Sequence, residues 1–346
     1  MIGLDVTSSS VKLVELSWTA ESGYVVDRCA LETLEAGWVV DGAIEKFDEV
    51  AEAVERVVKK SGTKAKNVAL ALPSSAVITK RITLPAGLSE RELEIQVESE
   101  ANQYIPFSLD EVSLDFCVVG PSPTAAEDEE VLIAASRKEK VAERQALAEA
   151  AGLHPVVLDI DSYAARAVAM EQIKRLPNEG KDLIVALFEM GSMSTAMQVL
   201  QNGNVLYERD QGFGGAQLTQ LIVRQYGFSV EEAEQKKRDG DLPEDFASTV
   251  LAPFIESMAQ EVARALQFFY TSTPFNSVDY ILLGGGGASL DGLVETVASN
   301  TSTVCKLVDP FEGMQLSDVV RNKQLRNAKT ASYLGACGLA MRRFTL

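Results

Sequence analysis

The chain has 346 residues, of which 46% are hydrophobic and 24% are charged, and its formal net charge is −18. A chain of this length exceeds one ordinary hydrophobic core, so we expect at least two globular domains. The acidic balance is inconsistent with a nucleic-acid-binding protein, which needs a basic face, and with attachment to an anionic membrane by charge alone.

Residue periodicity predicts an α/β domain over residues 1–178. Its expected elements are strands at 2–6, 11–17 and 23–33, a helix at 43–60, strands at 67–72 and 77–84, a helix after Ser89, strands at 112–119 and 131–135, a helix at 138–151, a strand at 156–160 and a helix at 162–176. Ser89 and Glu92 fit a capping box, in which side chain and backbone bond reciprocally. We interpret residues 86–155 as an inserted subdomain.

Residues 179–346 are predicted to repeat this plan after a break at 177–180, which is rich in turn-forming residues. The expected elements are strands at 183–188, 194–200 and 204–208, a helix at 215–226, a partly helical stretch at 229–250, a long helix from Pro253, a strand at 279–283, a helix at 288–299, a strand at 304–308 and a helix at 330–342. Residues 217–276, approximately, form a second insertion. Each half combines an antiparallel meander with later parallel strands, so duplicated α/β domains with mixed sheets are predicted.

Two loops in this plan look like copies of each other. One leads from Asp5 through Ser8, Ser9 and Ser10 to Lys12. The other leads from Glu189 through the small residues Gly191, Ser192, Ser194 and Thr195. Backbone N–H groups in tight turns of small residues approach phosphate oxygens closely, and hydroxyl groups add donors. A lysine can reach a terminal phosphate, and an acid can hold Mg²⁺ directly or through water. The pair therefore predicts a nucleotide clamp, with Asp5 and Glu189 as candidate metal ligands.

A third small-residue loop, Gly284-Gly285-Gly286-Gly287, follows the strand predicted at 279–283. One interpretation is that such a run merely allows a helix to pack closely on a sheet. The other is that the missing side chains leave room for a base or ribose. We prefer the second interpretation because the helix at 288–299 is expected directly behind it. The chain contains neither a GxGxxG match at its glycine runs nor a GxxxxGK[ST] motif, so a Rossmann site and a P-loop are unsupported.

Glu234 and Lys237 lie on a polar segment that is predicted to be helical. The plainer interpretation is a solvated, charged face of that helix. In a nucleotide cleft, however, these two side chains could bind ribose hydroxyl groups, so both are candidate site residues.

The cysteines and the single histidine limit the other kinds of chemistry. The four cysteines are far apart and fit neither a zinc site nor a dense disulfide framework: Cys29, Cys117, Cys305 and Cys337. One histidine, His154, excludes catalytic triads and clusters of histidine around a metal. No apolar stretch reaches the ~18 residues of a membrane span, and we expect no signal peptide. These features favour a cytoplasmic protein that meets a membrane only through partners.

The quoted motifs resemble those of the actin-like ATPase superfamily. Residues 5–12 are similar to its first phosphate motif, 189–195 to its second, and 281–288 to its adenosine motif. Residues 212–219 resemble the GGxxxT-type segment of chaperone and division-protein relatives. Residues 333–340 resemble the connecting helix that closes the superfamily's fold. The resemblance implies an actin-like, ribonuclease H-like fold with ATP and Mg²⁺ between two domains, and it adds Gly214 and Gly215 to the site.

Within this superfamily the chain resembles the PilM family of type IV pilus assembly, and so an FtsA- and PilM-like architecture. The likeness is carried by the opening residues 3–16, by parts of the inserted subdomain and by the segment that leaves it. The parts after the opening are 84–85, 93–98, 104–106, 115–116, 151–155 and 159–161. The resemblance implies a cytoplasmic ATP-binding scaffold, peripheral to the inner membrane. It would grip the N-terminal cytoplasmic peptide of PilN between the first domain and the insert, and link it to the pilus motor. Other inner-membrane and motor components, and self-association, are further expected interactions.

Two departures from the superfamily pattern concern hydrolysis. Glu189 stands where the second phosphate motif normally has Asp, and Ser192 where it has glycine. The extra methylene moves the carboxylate by roughly one C–C bond, enough to disturb Mg²⁺ or water, so we expect weak or absent ATPase activity. Two alternatives remain on the same fold. A small-molecule kinase needs a general base in the cleft, and a polymer-forming division-type protein carries a C-terminal amphipathic helix that we do not expect here.

Overall fold

The first half of the chain alternates strands and helices much as predicted. In the computed structural model, residues 1–122, 125–322 and 330–344 are described. The elements of this half are β1 (Ile2–Val6), β2 (Ser10–Thr19), β3 (Gly23–Thr33), β4 (Val39–Val40), β5 (Ala43–Ile44), α1 (Phe47–Ser61), β6 (Asn67–Leu72), β7 (Val77–Pro85), α2 (Glu90–Tyr104), β8 (Val112–Pro121), β9 (Asp128–Arg137), α3 (Lys138–Ala150), β10 (His154–Ile160) and α4 (Asp161–Ile173).

One mixed sheet of the first half has the strand order β10-β6-β1-β2-β3-β16, where β16 (Gln315–Leu316) comes from much later in the chain. The meander β1-β2-β3 is antiparallel, and β1, β6 and β10 run parallel, which agrees with the mixed sheet predicted from the sequence. Helix α1 begins at Phe47 and not at residue 43, because residues 43–44 pair with β4. Gly62 ends this helix with a positive φ of 68°.

The inserted subdomain is a separate three-stranded antiparallel sheet with the order β7-β9-β8. Helix α2 packs on one face and begins with the predicted capping box between Ser89 and Glu92. Strand β7 pairs in this sheet, whereas β10 is an edge strand of the first sheet and α3 packs against β6 and β10. The sheet and its connections therefore use residues 77–137, whereas the sequence suggested a subdomain at 86–155.

The second half repeats the meander in a five-stranded sheet of order β13-β12-β11-β14-β15. Its elements are β11 (Ile184–Met190), β12 (Thr195–Gln201), β13 (Asn204–Gln211), α5 (Gly215–Tyr226), α6 (Val230–Asp239), a π-helical turn (Ala247–Leu251), α7 (Ala252–Ser272), β14 (Tyr280–Gly284), α8 (Leu293–Thr301), β15 (Val304–Leu307), β16, α9 (Asp318–Arg321) and α10 (Leu334–Met341). Helix α7 begins at Ala252, directly after the π-helical turn, and has the predicted Pro253 in its first turn. The predicted start of α8 at residue 288 is wrong: the helix begins at Leu293, because Gly292 has a φ of 86°.

A shared core joins the two halves. Val14 and Leu16 of the first sheet lie in one buried cluster with Leu187 of the second sheet and with Ala336 and Ala340 of α10. Strand β16 pairs with β3 in the first sheet and helix α10 packs on that sheet, although both lie in the range 179–346 that the sequence assigned to the second domain. Within the part of the chain that the structure describes, no helix is both long and apolar enough to cross a membrane.

Candidate nucleotide site

The first predicted hairpin lies at the ends of β1 and β2. The N–H of Thr7 donates to the carbonyl of Ser10 at 3.0 Å, which closes a tight turn, and Leu34 donates to the carbonyl of Ser9. Lys12 stands opposite Asp5 in the strand register. Its Nζ donates to Asp5 Oδ2 and to Thr7 Oγ1, at 3.2 Å in each case. The ammonium is therefore held at the turn, beside the serine backbone.

The second hairpin repeats this geometry between β11 and β12. The N–H of Gly191 donates to the carbonyl of Ser194 at 2.9 Å, and Glu189 lies opposite Ala196. Ser194 is exposed, whereas Thr195 is buried and its hydroxyl donates to the carbonyl of Phe213 at 2.7 Å. Ser194 thus lies at the exposed side of the turn, while the hydroxyl of Thr195 fixes the neighbouring loop.

The glycine-rich loop at residues 212–215, which leads into α5, packs against the second hairpin. Gly215 and Ala216 donate their N–H groups to the carbonyls of Gly191 and Ser192, at 3.0 and 2.8 Å. A Cβ at Gly214 would lie 2.5 Å from the oxygen of Ser192, so only glycine fits this approach. The predicted residues Gly214 and Gly215 are therefore packed directly against the second phosphate-type turn.

Glu234 and Lys237 form an internal network at the same place, not a purely solvated face. Lys237 Nζ donates to Glu234 Oε2 and Thr219 Oγ1, at 2.7 Å each, and to the carbonyl of Gly215 at 3.4 Å. Burial by itself raises the pKa of Glu234, but the adjacent Lys237 ammonium and the Thr219 hydroxyl bring that pKa below its usual value. Helix α6 is thereby tied to the first turn of α5, next to the glycine loop.

The glycine run 284–287 packs against the second hairpin. A Cβ at Gly285 or Gly287 would lie 2.6 or 3.0 Å from the carbonyl oxygen of Met190, and Gly285 has a φ of 83°. A Cβ at Gly286 would meet only Ser332, at 3.9 Å. A Cβ at Gly284 would lie 2.7 Å from the side chain of Leu334. Close packing therefore explains three glycines of this run, and only Gly286 has open space beside it. The helix expected directly behind the run is replaced by a short 3₁₀ turn over residues 286–289.

The acids of the two hairpins act on each other electrostatically across the halves. Burial, followed by the negative charges of Asp161 and Asp5, raises the pKa of Glu189 to about 8, while the charge of Lys12 acts in the opposite direction. Burial likewise raises the pKa of Asp161, against hydrogen bonds from Ser74 and Ser162. Charges from β1, α4 and β11 are thus gathered in one region between the halves.

Asp161 is the site residue that sequence reasoning missed. Its Oδ1 accepts hydrogen bonds from the backbone N–H and the hydroxyl of Ser74 and from the N–H of Ser162. It directly follows β10, as Asp5 lies near the end of β1, and these strands run parallel on either side of β6. An acid at the carboxyl end of a parallel strand is the signal that could have identified it.

Two further contacts fix the halves around these acids. Gln198 on β12 donates its Nε2 to the carbonyl of Ser162 on α4 at 2.9 Å. A Cβ at Gly335 of α10 would lie 3.1 Å from the carboxylate of Asp5, so the helix passes directly beneath that side chain. Among the described residues no group of three or more His, Cys, Asp or Glu side chains is arranged to hold a metal ion by itself.

Comparison with known proteins identifies relatives of this arrangement. A family model described as type IV pilus assembly protein PilM matches residues 3–344. A solved PilM-PilN type IV pilus biogenesis complex is similar, with a TM-score of 0.78 and 27% identity over 99% of this chain and 97% of that chain.

More distant solved structures share the fold alone. The ethanolamine utilization protein EutJ from Carboxydothermus hydrogenoformans has a TM-score of 0.58 and 17% identity over 98% of this chain and 88% of that one. MreB5 of Spiroplasma citri, solved with bound ADP, has a TM-score of 0.50 and 13% identity over 99% and 96%. The predicted actin-like fold is confirmed.

Proposed function

Because the chain belongs to the PilM family of type IV pilus assembly proteins, we propose that it is a cytoplasmic scaffold that binds ATP and holds the N-terminal peptide of a PilN-type inner-membrane protein. The observation that carries the nucleotide part is the mutual placement of Asp5 and Glu189, one from each hairpin, within electrostatic reach. A phosphate chain would lie between the two turns, whose backbone N–H groups and hydroxyls come from small residues.

The residues divide into three roles toward the nucleotide. Ser8, Ser9, Ser10 and Lys12 would hold phosphates from one side, and Gly191, Ser192 and Ser194 from the other. The network of Glu234 and Lys237 behind Gly214 and Gly215 would hold the ribose, and Gly286 would leave space for the base. Thr195 would act indirectly, by holding the loop at Phe213, since its hydroxyl already donates to the Phe213 carbonyl.

Mg²⁺ would be held chiefly by the phosphates and water, with Asp5 and Glu189 as its protein partners. This suits a small cation that keeps several waters and needs few carboxylates. When bound, it would neutralise charge between the phosphates and the acids. Glu189 is protonated at neutral pH in the free protein, given its pKa of about 8, so binding of the cation there would release a proton.

The partner role rests on the relatives. The similar structure is described as a complex of PilM with PilN. By that likeness, this chain would bind the N-terminal cytoplasmic peptide of a PilN homologue beside its inserted subdomain, and would reach the inner membrane and the motor through such partners. The scaffold role needs no catalytic group, which agrees with the departure at Glu189.

A direct test combines nucleotide and peptide binding on the full chain. We expect calorimetry to detect binding of MgATP, and fluorescence anisotropy to detect binding of a labelled N-terminal PilN peptide, but not of the same peptide with its sequence scrambled. Absence of peptide binding with MgATP present would contradict the scaffold role. Phosphorylation of a sugar or another small acceptor would instead support the kinase alternative.

A further inference from the structure

The inserted subdomain has a hydrophobic core of its own. The buried cluster of this core and the apolar residues packed on it all lie between Ile78 and Ala135. Two connections join it to the first domain: residues 73–76 lead into β7, and residues 136–138 lead from β9 into α3. We call these two connections the stem. A body with its own core on a narrow stem can turn as a unit, because the turn leaves that core intact.

The two connections of the stem are tied to each other and to the first domain. The hydroxyl of Ser136 donates to the carbonyl of Ala76 at 2.8 Å. Nη2 of Arg144, on α3, donates to the carbonyl of Gly42 at 2.6 Å. A Cβ at Gly42 would lie 2.5 Å from Cγ of Pro73, so the β4–β5 turn packs closely on the stem. Helix α3, this turn and both connections therefore meet at one place.

The stem is also bonded to the candidate nucleotide site. The N–H of Ser74 donates to Asp161 Oδ1 at 2.9 Å, and the Ser74 hydroxyl donates to the same oxygen. Among the described residues, every side-chain hydrogen bond that Asp161 accepts goes to Oδ1. The charge of Asp161 also acts on Glu189 of the second hairpin. One carboxylate oxygen is thus held by the stem, and the other is available to a ligand in the cleft.

Arg144 links the charges of the cleft to the stem in a second way. It is 2% exposed, and its Nε and Nη1 have no acceptor among the described residues. Burial lowers the pKa of this guanidinium, whereas the negative charges of Glu143, Asp5 and Asp161 act in the opposite direction. A buried cation with unengaged donors is sensitive to nearby charge. Charge that enters the cleft would therefore act on the stem through Arg144 as well as through Asp161.

We propose that the inserted subdomain turns on its stem as one body, and that a nucleotide in the cleft sets its orientation through the hydrogen bonds between Asp161 and Ser74. The carboxylate of Asp161 would be drawn toward a cation held by the phosphates, and its bonds to Ser74 would then lengthen or break. Ser74 is a positioning residue, since it acts through Asp161. This inference rests on the proposed function, because it needs the cleft to bind a nucleotide.

The turn matters for the partner as well. It changes the width of the space between the inserted subdomain and the first domain, which is where the proposed function puts the partner peptide. Nucleotide in one site would thereby alter the shape of the other.

A distance between two spin labels on the full chain measures the turn. Cys117 is exposed on β8 and carries one label, whereas Cys29 and Cys337 are buried. Cys305→Ser removes the partly buried thiol, and Glu55→Cys places the second label on the exposed side of α1. We expect saturating MgATP to shift the mean distance in pulsed electron paramagnetic resonance by about 2 Å or more.

Variants of Ser74 test the link itself. We expect Ser74→Ala to reduce the shift caused by MgATP several-fold, and to broaden the distance distribution of the nucleotide-free chain. Ser74→Thr keeps a hydroxyl and should restore both properties, which a general loss of packing would not allow. Ser108→Ala removes an exposed hydroxyl of the inserted subdomain and should behave like the unsubstituted chain. Circular dichroism checks that all variants fold.

Calorimetry on the same labelled chain separates the possible failures. Binding of MgATP without a shift in distance, or with an equal shift in Ser74→Ala, would overturn this inference and leave the proposed function standing. An unchanged distribution in nucleotide-free Ser74→Ala would also overturn it, because the bond to Asp161 would then not hold the inserted subdomain. Absence of MgATP binding would contradict the proposed function and this inference together.

Discussion

Burial, and then the charges of Asp161 and Asp5, raise the pKa of Glu189, although Asp5 opens the first hairpin and Glu189 opens the second, 184 positions later by numbering. Both stand near the end of a strand that leads into a small-residue turn. The repeated sequence pattern therefore has a counterpart in space.

Lys12 is expected to be required for nucleotide affinity. Replacing it with alanine removes a charge-assisted contact to phosphate and leaves Asp5 without its ion pair. We expect Lys12→Ala to weaken MgATP binding by about 2–4 kcal/mol in calorimetry. Lys60→Ala, which removes an exposed lysine paired with Glu32, is the matched control and should change little. Equal affinities of the wild type and Lys12→Ala would refute the phosphate contact.

Glu189 should make the metal-free protein less stable as the pH rises. Its pKa is about 8 in the folded chain, against an ordinary value of 4.5. Between these values the folded state binds the extra proton, so the free energy of unfolding falls with rising pH, by at most about 1.4 kcal/mol per pH unit. The stability that the proton on Glu189 gives the folded state is fully present below pH 4.5 and is lost as the pH rises through 8.

Urea denaturation with a chelator present measures this effect. Other acids, including Asp161, Glu208 and Asp210, also have raised pKa values because of burial, so the difference from Glu189→Gln is the informative quantity. The variant should show a flatter dependence on pH. Parallel curves for the two proteins would assign the dependence to the other acids.

Hydrolysis is expected to be slow in the wild type because of the extra methylene at Glu189. We expect Glu189→Asp to increase phosphate release from ATP, since the shorter side chain leaves room for the cation and the attacking water. Glu208→Asp makes the same change on β13 and serves as control. Equal release by the wild type and Glu189→Asp would mean that the acid at 189 does not limit turnover.

Gly214 should tolerate no side chain. Gly214→Ala places a Cβ 2.5 Å from the carbonyl oxygen of Ser192, so the second turn must move. We expect the free energy of unfolding to fall by about 1–3 kcal/mol and nucleotide affinity to fall with it. Gly212→Ala is the matched control, because no atom lies within 4 Å of its added Cβ. Similar behaviour of the two variants in urea denaturation would contradict this role.

Local patterns predicted the two hairpins well, since each depends on a buried strand, an acid and a few small residues adjacent in sequence. The sheet to which β7 belongs was not predictable in this way, because its partner β9 lies about 50 residues later and periodicity does not identify partners. Asp161 was missed for the same reason: its importance comes from the parallel pairing of β10 beside β6. The start of α8 depended on the positive φ of one residue, Gly292.

The first sheet receives its last strand and a covering helix from residues far along the chain. Ser317 beside β16 donates to the carbonyl of Asp27, and α10 lies against Gly3. During synthesis on a ribosome, some 300 further residues must therefore be made before β16 covers the β3 edge of the first sheet and α10 covers its face. Such distant closure is slow to form. An emerging chain would thus expose apolar residues of the first sheet until the final segments arrive, which makes it a substrate for chaperones and proteases until translation ends.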